Sequence, residues 1–259
     1  MKLKEHFARL KSILGLSLQL AKARFKLRNE GSYLGIFWYL LEPFLLFVII
    51  LGIRSAFVGG SGGEDYPLYL IIGLVMINFF TGTTSKATNI IFNNSSFIKS
   101  IKINHESLVI SQVLEGIFSH FFEYLVLIGF IIYYQGSLVG ILIYPIIFGF
   151  FVVFILGFSF ILSTIGVYVA DLNNVWNVIT RFLFFVTPIF YIIEEASFIY
   201  RVNLFNPLFY FISITREIVI SNQIPGFWMI GIIGSMSVLT LILGIFIFDR
   251  YKYKFAEMV

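Results

Sequence analysis

The chain has 259 residues, of which 59% are hydrophobic and 12% are charged, and it carries a formal net charge of +4. A soluble globular domain is typically about 45–50% apolar and about 25% charged, so the composition excludes that class and indicates an integral membrane protein. The absence of cysteine excludes a disulfide scaffold and a thiolate metal site. The three histidines, His6, His105 and His120, are far apart in sequence, so no metal site is expected.

The amino-terminal segment, residues 1–32, has the pattern of an amphipathic helix that lies along a membrane surface. Its apolar residues recur every three or four positions, and most of its Lys and Arg residues occupy the other faces. The apolar positions are Leu3, Phe7, Leu10, Leu14, Leu18, Ala21 and Phe25. We expect a surface anchor that also leads the chain into the first span.

Six stretches have the length of about 20 mostly apolar residues that a helix needs to cross a bilayer. Their limits are 34–57, 66–86, 107–134, 138–170, 175–193 and 227–248. The fourth stretch has no charge and, at about 1.5 Å per residue, is longer than a bilayer core, so we expect it to be tilted or kinked near Pro145. The sequence therefore predicts an all-α polytopic membrane protein with one transmembrane domain over 1–259.

The distribution of Lys and Arg between the connections predicts the orientation. With an even number of spans, the amino-terminal segment, the connection 93–106 and the carboxyl-terminal tail lie on one side and hold most of the positive charge. Both termini are therefore predicted to be cytoplasmic. The positive charge suits anionic membrane lipids, and no basic and aromatic pattern of nucleic-acid binding occurs in the connections.

The cytoplasmic connection 93–106 begins with the helix-capping run NNSS. Phe97, Ile98 and Ile101 follow about one helical turn apart. This apolar face either rests on lipid or docks into a partner protein, and the segment alone leaves both readings open.

The segment 194–226, on the external side, is too long for a tight turn and too apolar for a solvated loop. Asn206 and Pro207 form a helix-start signal, with a capping residue followed by proline at the first helical position. We expect two short helices that dip into the outer leaflet and turn near 203–206. Such backbone must be buried in protein or line a watery path, so the segment is a candidate external gate. An interfacial helix with no gating role is the alternative.

Motifs for ATP binding and for common hydrolases are absent from the sequence. No GxxxxGK[ST] phosphate-binding loop, HExxH or GxSxG occurs. Asp171 stands beside Asn173 and Asn174 at a cytoplasmic turn and could suggest a glycosyltransferase carboxylate. A single Asp near a helix end is more often a cap, so a transport function is favoured over an enzymatic one.

Ionisable residues inside apolar spans are functional-site hypotheses by default. Here they are Glu42, Glu115, Glu123 and Arg181. Glu115 and Glu123 share one face of the third predicted span, as in an ion-coupled carrier, although such residues also serve as interhelical pairs. The paired inverted repeats and broken helices of many secondary transporters are not evident.

Three stretches of the sequence together carry a family resemblance. They are RNEGSYLGIFWYLLEP over 28–43, ADLNNVWNVITRFLFFVTPIFY over 170–191 and LFNPLFYFISITRE over 204–217. In that order they resemble the entry to the first span, the fifth-span signature and the segment that follows it in the type-2 ABC export permeases. Within that family, the three motifs are most similar to the polysaccharide branch, which includes O-antigen, teichoic-acid and capsule exporters. Glu42, where many members have a neutral residue, and Glu30 depart from the commonest pattern.

The resemblance implies the membrane subunit of an ATP-driven exporter in the bacterial inner membrane. Such a subunit forms a homodimer that pairs with two copies of a cytoplasmic P-loop ATPase. ATP and Mg are then bound by the partner, and this chain has no cofactor of its own. The implied cargo is an undecaprenyl-diphosphate-linked polysaccharide such as O-antigen; a drug or lipid exporter of the same family is the alternative.

The resemblance also implies roles for particular residues. Those expected at the ATPase contact are Ser96, Phe97, Ile98, Ile101, Lys102 and Asp171. Those expected at the external gate are Asn206, Pro207, Phe211, Arg216 and Glu217.

The translocation path is expected where the first and fifth spans meet across the two-fold axis. Trp38, Tyr39, Glu42 and Phe185 are its expected lining, because aromatic rings with polar tips suit sugar faces; interfacial anchoring is the alternative for the aromatics. Arg24, Lys26 and Arg28 are expected to meet the diphosphate headgroup.

Overall fold

The computed structural model describes residues 2–58, 63–100, 104–223 and 225–258, with the backbone alone for 2–6 and 58. Its α-helices in those ranges are α1 (Lys2–Asn29), α2 (Phe37–Val58), α3 (Tyr66–Thr88), α4 (Ser95–Ser100), α5 (His105–Tyr133), α6 (Leu138–Tyr168), α7 (Leu172–Val186), α8 (Phe198–Asn203), α9 (Pro207–Val219), α10 (Phe227–Tyr251) and α11 (Phe255–Met258). No strand occurs in the same ranges, so the all-α prediction is confirmed there.

Helix α3 lies at the centre of the bundle. It packs against α2, α5, α6, α7 and α9, and its side chains are buried along most of its length. An apolar run from Leu68 to Ile77 is compatible with this central position, because a helix that is apolar on all sides can be surrounded by other helices. The outer helices α2 and α10 leave most of their side chains exposed, as expected of helices that contact lipid or another subunit.

Helices α6 and α10 form an extensive contact that depends on two glycines. A Cβ at Gly157 would overlap the backbone of Thr240 and Leu241, and a Cβ at Gly244 would overlap the backbone of Gly157. Small residues at such a contact allow membrane helices to pack backbone to backbone.

Five of the six predicted spans are helices long and apolar enough to cross a membrane, namely α2, α3, α5, α6 and α10. The long fourth stretch is one helix of 31 residues with Pro145 inside it. The fifth stretch, predicted as a span over 175–193, is not a helix of that length. It is the 15-residue α7 followed by non-helical backbone, about 22 Å of helix where the hydrocarbon core is about 30 Å thick. Of the six predicted spans, five are therefore helices of spanning length in the described residues, and the fifth stretch is a shorter helix followed by non-helical backbone. Arg9 and Lys252 both pair with Glu106, so the first and last helices of the chain begin and end at the same end of the bundle.

The segment after α7 contains the two short helices that the sequence predicted. Helix α8 is followed by a turn, and α9 begins at Pro207, with the side chain of Asn206 accepting a hydrogen bond from the Leu208 amide at 3.1 Å. Helix α9 packs on α3, α6 and α10.

Helix α1 packs along α5 through a face that the apolar periodicity only partly indicated. Ile13, Ser17 and Ala21 are buried against the bundle. Much of the predicted apolar stripe, Phe7, Leu10, Leu14 and Leu18, is exposed. The side chain of Leu3 lies outside the described residues.

The basic end of the bundle is the end that carries α1, α4 and α11. It holds a small second core formed by Ile90, Ile91, Ile98, Leu108, Val109, Phe160, Phe248 and Phe255. Glu106 joins two elements there, since it accepts from Arg9 at 2.9 Å and from Lys252 at 2.7 Å.

Candidate functional site

The polar side chains of α1, α3, α5 and α7 converge at the basic end around a cavity of about 550 Å³, here called the basic cavity. Its lining residues are Arg24, Ser85, Lys86, Asn89, Ile90, Asn93, Asn94, Gln112, Glu115, Asn173 and Asn177. Amides and cations dominate this list. A group with negative charge and hydroxyls would find both donors and acceptors there.

Charge in the basic cavity is only partly compensated. Lys86 Nζ lies 2.7 Å from Glu115 Oε1, and Arg28 Nη1 lies 3.6 Å from the same oxygen. Arg24 donates to Asn94 Oδ1 at 3.1 Å. Burial lowers the pKa of the Arg24 guanidinium, and the neighbouring Glu115 opposes that effect. Two arginines and a lysine thus surround one carboxylate.

A smaller cavity of about 130 Å³, here called the inner cavity, lies between α2, α3 and α5. Lys86 lines both cavities, so its ion pair with Glu115 stands between them. Within the described residues, the hydroxyl of Tyr39 and the Nδ2 of Asn78 are buried on its wall without a hydrogen-bond partner. A polar cavity of this size holds several waters.

A buried hydrogen-bond chain adjoins the inner cavity. His120 Nδ1 lies 2.9 Å from Glu123 Oε2, and His120 Nε2 lies 2.8 Å from the hydroxyl of Tyr144. The imidazole stacks on Phe148 with 4.0 Å between ring centroids. The ring is therefore held by stacking on α6 and by one hydrogen bond to each of α5 and α6. Sequence reasoning identified Glu123 but not His120 or Tyr144, because nothing in the spacing joins the last two.

Arg216 on α9 binds the backbone that follows α7. Its Nη1 donates to Pro188 O at 2.6 Å, and its Nη2 donates to Ile189 O at 3.1 Å and to Tyr69 O at 2.9 Å. Its Cζ lies 3.4 Å from the centroid of the Tyr69 ring. Carbonyl groups left free by the end of a helix need donors when they are buried, and Arg216 supplies several at once.

Other side chains complete this arrangement, here called the carbonyl clamp. It consists of Arg216 with Tyr66, Tyr69, Asn203 and Asn206, which all donate to residues 186–191. Tyr66 binds Phe190 O at 2.7 Å, Tyr69 binds Tyr191 O at 2.9 Å, Asn203 binds Val186 O at 2.9 Å and Asn206 binds Thr187 Oγ1 at 2.8 Å. Sequence reasoning did not identify Tyr66 or Tyr69. Pro188 was the one sign of this arrangement in the sequence. Proline has no N–H to donate, so backbone carbonyls near it need other donors.

The residues predicted for the external gate are mostly interior. Phe211 is fully buried and packs on Phe151 and Phe154 with ring centroids 4.9 and 5.5 Å apart. Asn206 and Arg216 belong to the carbonyl clamp. Glu217 is half-buried, and Pro207 starts α9.

The residues predicted for the translocation path lie on two helices, α2 and α7, and differ in exposure. Trp38 and Glu42 are exposed on α2, and Phe185 is exposed on α7. Tyr39 is only 7% exposed and packs between Phe25, 5.9 Å away in a stacked arrangement, and Arg28. Within the chain, Tyr39 therefore faces the inner cavity rather than Phe185.

The described residues among those predicted for the ATPase contact and the headgroup lie at the basic end. Ser96 and Phe97 are exposed on α4, Ile98 enters the small core, and Asp171 is exposed before α7. Ile101 and Lys102 lie outside the described residues. Arg24 lines the basic cavity and Arg28 the inner cavity, whereas Lys26 is exposed.

Spanning helices around an interior of charged and hydrogen-bonding side chains define a multi-pass membrane protein. The chain belongs to the ABC-2 type transporter family, whose model matches residues 17–220. It is 31% identical over 245 residues to the O-antigen export system permease protein RfbA of Klebsiella pneumoniae, covering 90% of this chain and 91% of that protein. It is 22% identical over 249 residues to a Myxococcus xanthus protein of the same name, covering 95% of each. The resemblance stated from the motifs is thus confirmed at the level of the family.

Proposed function

We propose that this chain is the membrane subunit of an ATP-driven exporter that moves a lipid-linked polysaccharide, such as O-antigen on undecaprenyl diphosphate, across the bacterial inner membrane. The observation that carries the proposal is the similarity to O-antigen export permeases over nine-tenths of the chain. The polysaccharide moves from the cytoplasm to the outer side. Both chain termini, and with them the basic end, then face the cytoplasm.

ATP hydrolysis is assigned to a separate subunit, since the sequence has no phosphate-binding loop. Two copies of that ATPase bind ATP and Mg and dock at the basic end. Helix α4 is the proposed docking element because Phe97 is 54% exposed while Ile98 anchors the helix to the small core. Ser96, Ile101, Lys102 and the exposed Asp171 complete the proposed contact.

The headgroup of the cargo is proposed to meet Arg24, Lys26 and Arg28. Arg24 and Arg28 stand at the two polar cavities, where uncompensated positive charge favours a diphosphate. The glycan then follows a path between two copies of the chain, lined by the exposed Trp38, Glu42 and Phe185, with Tyr39 behind them.

Helices α8 and α9 are proposed to form a re-entrant external gate. Asn206, Phe211 and Arg216 are too firmly packed to swing as separate side chains. Gating is therefore assigned to movement of α9 together with residues 186–191, which the carbonyl clamp binds to it. Pro207 and Glu217 mark the beginning and the end of the moving helix.

The proposal is tested by purifying tagged chain from solubilised native membranes and assaying for a co-purifying P-loop ATPase. A matched sample carries Phe97→Asp, and a control carries Phe92→Asp. Phe92 is exposed to a similar degree but lies outside α4. Because Asp removes apolar contact and adds charge, Phe97→Asp should reduce the recovered ATPase at least about tenfold, while Phe92→Asp retains it.

The outcomes separate the possible classes of protein. Retention of the ATPase by both variants would remove α4 from the contact while preserving the exporter. No ATPase with the native chain would contradict the exporter proposal and favour an ion-coupled carrier built around Glu115, His120 and Glu123. Loss of lipid-linked glycan export in cells lacking the chain, with drug resistance unchanged, would separate polysaccharide from drug export.

A further inference from the structure

Two helices of the chain carry exposed apolar faces that are interrupted by a single charge. On α2 the face consists of Trp38, Leu45, Ile49 and Ile53 around Glu42. On α7 it consists of Val178, Phe182 and Phe185 around Arg181. The spacing of these residues places each set along one side of its helix.

Neither charge is compensated within the described residues. Glu42 and Arg181 are absent from the six ion pairs there. Arg28 lines the inner cavity together with Glu42, but its guanidinium already lies 4.6 Å from the Tyr39 ring centroid and 3.6 Å from Glu115. A charge exposed to hydrocarbon is unfavourable, so Arg181 needs a partner outside the subunit. Glu42 can be hydrated by the inner cavity, but no cation of the described residues pairs with it, so its carboxylate can serve as that partner.

The exposed faces of α6 and α10 offer a comparison within the same chain. Residues 138–168 contain no charged residue, and none occurs over 227–248. Those faces need only lipid around them. The charges on α2 and α7 therefore distinguish these two faces from an ordinary lipid contact.

Glu42 and Arg181 lie at the same depth in the helix bundle, because both are level with the same part of α3. Helix α7 runs antiparallel to α3, since Asn173 Oδ1 accepts from Thr88 and Asn177 Oδ1 accepts from Ser85 at 3.2 and 3.1 Å. One further turn of each helix brings Arg181 to the level of Thr81. Glu42 lines the inner cavity with Asn78, Thr81 and Gly82, at that level.

We infer that Glu42 of one subunit forms an ion pair with Arg181 of a second copy of this chain. The occupant of both faces is that second copy, because the two faces carry opposite charges at equal depth and are therefore complementary. A two-fold axis along the membrane normal preserves depth, so an interface in which the α2 face of one copy meets the α7 face of the other brings the two charges together. The interface then contains two equivalent pairs, each of which forms part of the wall of the proposed glycan path. The inference rests on the homodimer of the proposed function and adds the residues that hold it in register.

Crosslinking tests the inference directly, because the chain has no native cysteine. Glu42→Cys and Arg181→Cys are combined and treated in native membranes with a bifunctional thiosulfonate whose reach matches the two lost side chains. A crosslinked dimer is expected. The control combines Glu42→Cys with Ser235→Cys, an exposed position on α10, and should remain monomeric on a denaturing gel.

Charge reversal tests the pairing itself. Glu42→Arg or Arg181→Glu alone places like charges opposite one another and should weaken dimerisation at least about tenfold. The double reversal should return the dimer fraction to near that of the native chain. Because rescue requires the two charges to meet, a purely structural defect at either position would not be repaired.

Different results would contradict the ion pair and the homodimer. If native mass spectrometry shows a dimer but neither crosslinking nor rescue occurs, the ion pair is wrong while the homodimer stands. If the native chain with its ATPase carries a single copy, the homodimer itself fails. If Arg181→Glu loses bound anionic lipid while the dimer fraction is unchanged, lipid phosphate is the partner of Arg181 and the inference is overturned.

Discussion

Arg216, which the sequence predicted at the external gate, is buried in the interior, and its hydrogen bonds explain why a charge is found there. The helical run ends at Val186, and the carbonyls of Pro188 and Ile189 are left without helical partners. A guanidinium has several donors in one plane, so one side chain can serve several acceptors. A buried polar group without a partner costs about 1–3 kcal/mol, which accounts for an arginine here in place of an apolar residue.

Gly73 on α3 leaves the space that this guanidinium occupies. A Cβ at Gly73 would lie 2.6 Å from Arg216 Nη2 and 3.1 Å from the side chain of Ile189. Gly73→Ala should therefore lower stability by about 1–3 kcal/mol through overpacking, despite the better helix propensity of alanine. The measurement is the thermal midpoint of the detergent-solubilised protein.

The control for this substitution is Gly149→Ala on α6. A Cβ at Gly149 meets nothing within 4 Å, so the exchange should leave the midpoint unchanged or raise it slightly. Equal behaviour of the two variants would contradict the role given to Gly73.

At the scale of elements, the contact between α6 and α10 depends on backbone proximity. A Cβ at Gly244 would overlap the backbone of Gly157. Backbone cannot rotate away as a side chain can, so Gly244→Ala should separate the helices and lower stability by about 1–3 kcal/mol. Thermal inactivation half-life checks this expectation.

Gly231→Ala on the same helix is the matched variant, since no atom lies within 4 Å of its added Cβ. If Gly244→Ala has as long a half-life as Gly231→Ala, then α6 and α10 can separate without loss of stability, and the role given to Gly244 is wrong.

The fifth predicted span ends earlier than the sequence predicted, at Val186. Hydropathy continues to residue 193, but Pro188 disfavours helical backbone at the residue before it, Thr187. The proline was visible in the sequence and indicated the helix end. The carbonyl clamp was not visible, because its donors come from α3, α8 and α9.

At the scale of the whole molecule, the inner cavity predicts water inside the bundle. Ser119 lines it, and a thiol in water ionises and reacts more readily than one in apolar surroundings. Ser119→Cys should therefore react with a small cationic thiosulfonate at least about tenfold faster than a packed cysteine. The rate is measured by a mass shift in native membranes.

Ser237→Cys is the packed reference. Ser237 is fully buried between α6 and α10, and its hydroxyl donates to Phe150 O at 2.8 Å. Similar rates at the two positions would mean that the inner cavity is dry, and that Tyr39 and Asn78 find partners by another arrangement.

Composition, hydropathy and motif spacing determined the membrane class, the all-α fold, the family and the approximate positions of the five helices of spanning length, because these depend on residues close together in the chain. Tertiary structure decided which polar groups meet. Lys86 pairs with Glu115, and His120 reaches Tyr144, across distinct helices. Helical periodicity states which face a residue occupies but not which neighbour it faces. For that physical reason the sequence did not show that Tyr39 lies against Phe25 and the inner cavity within the chain.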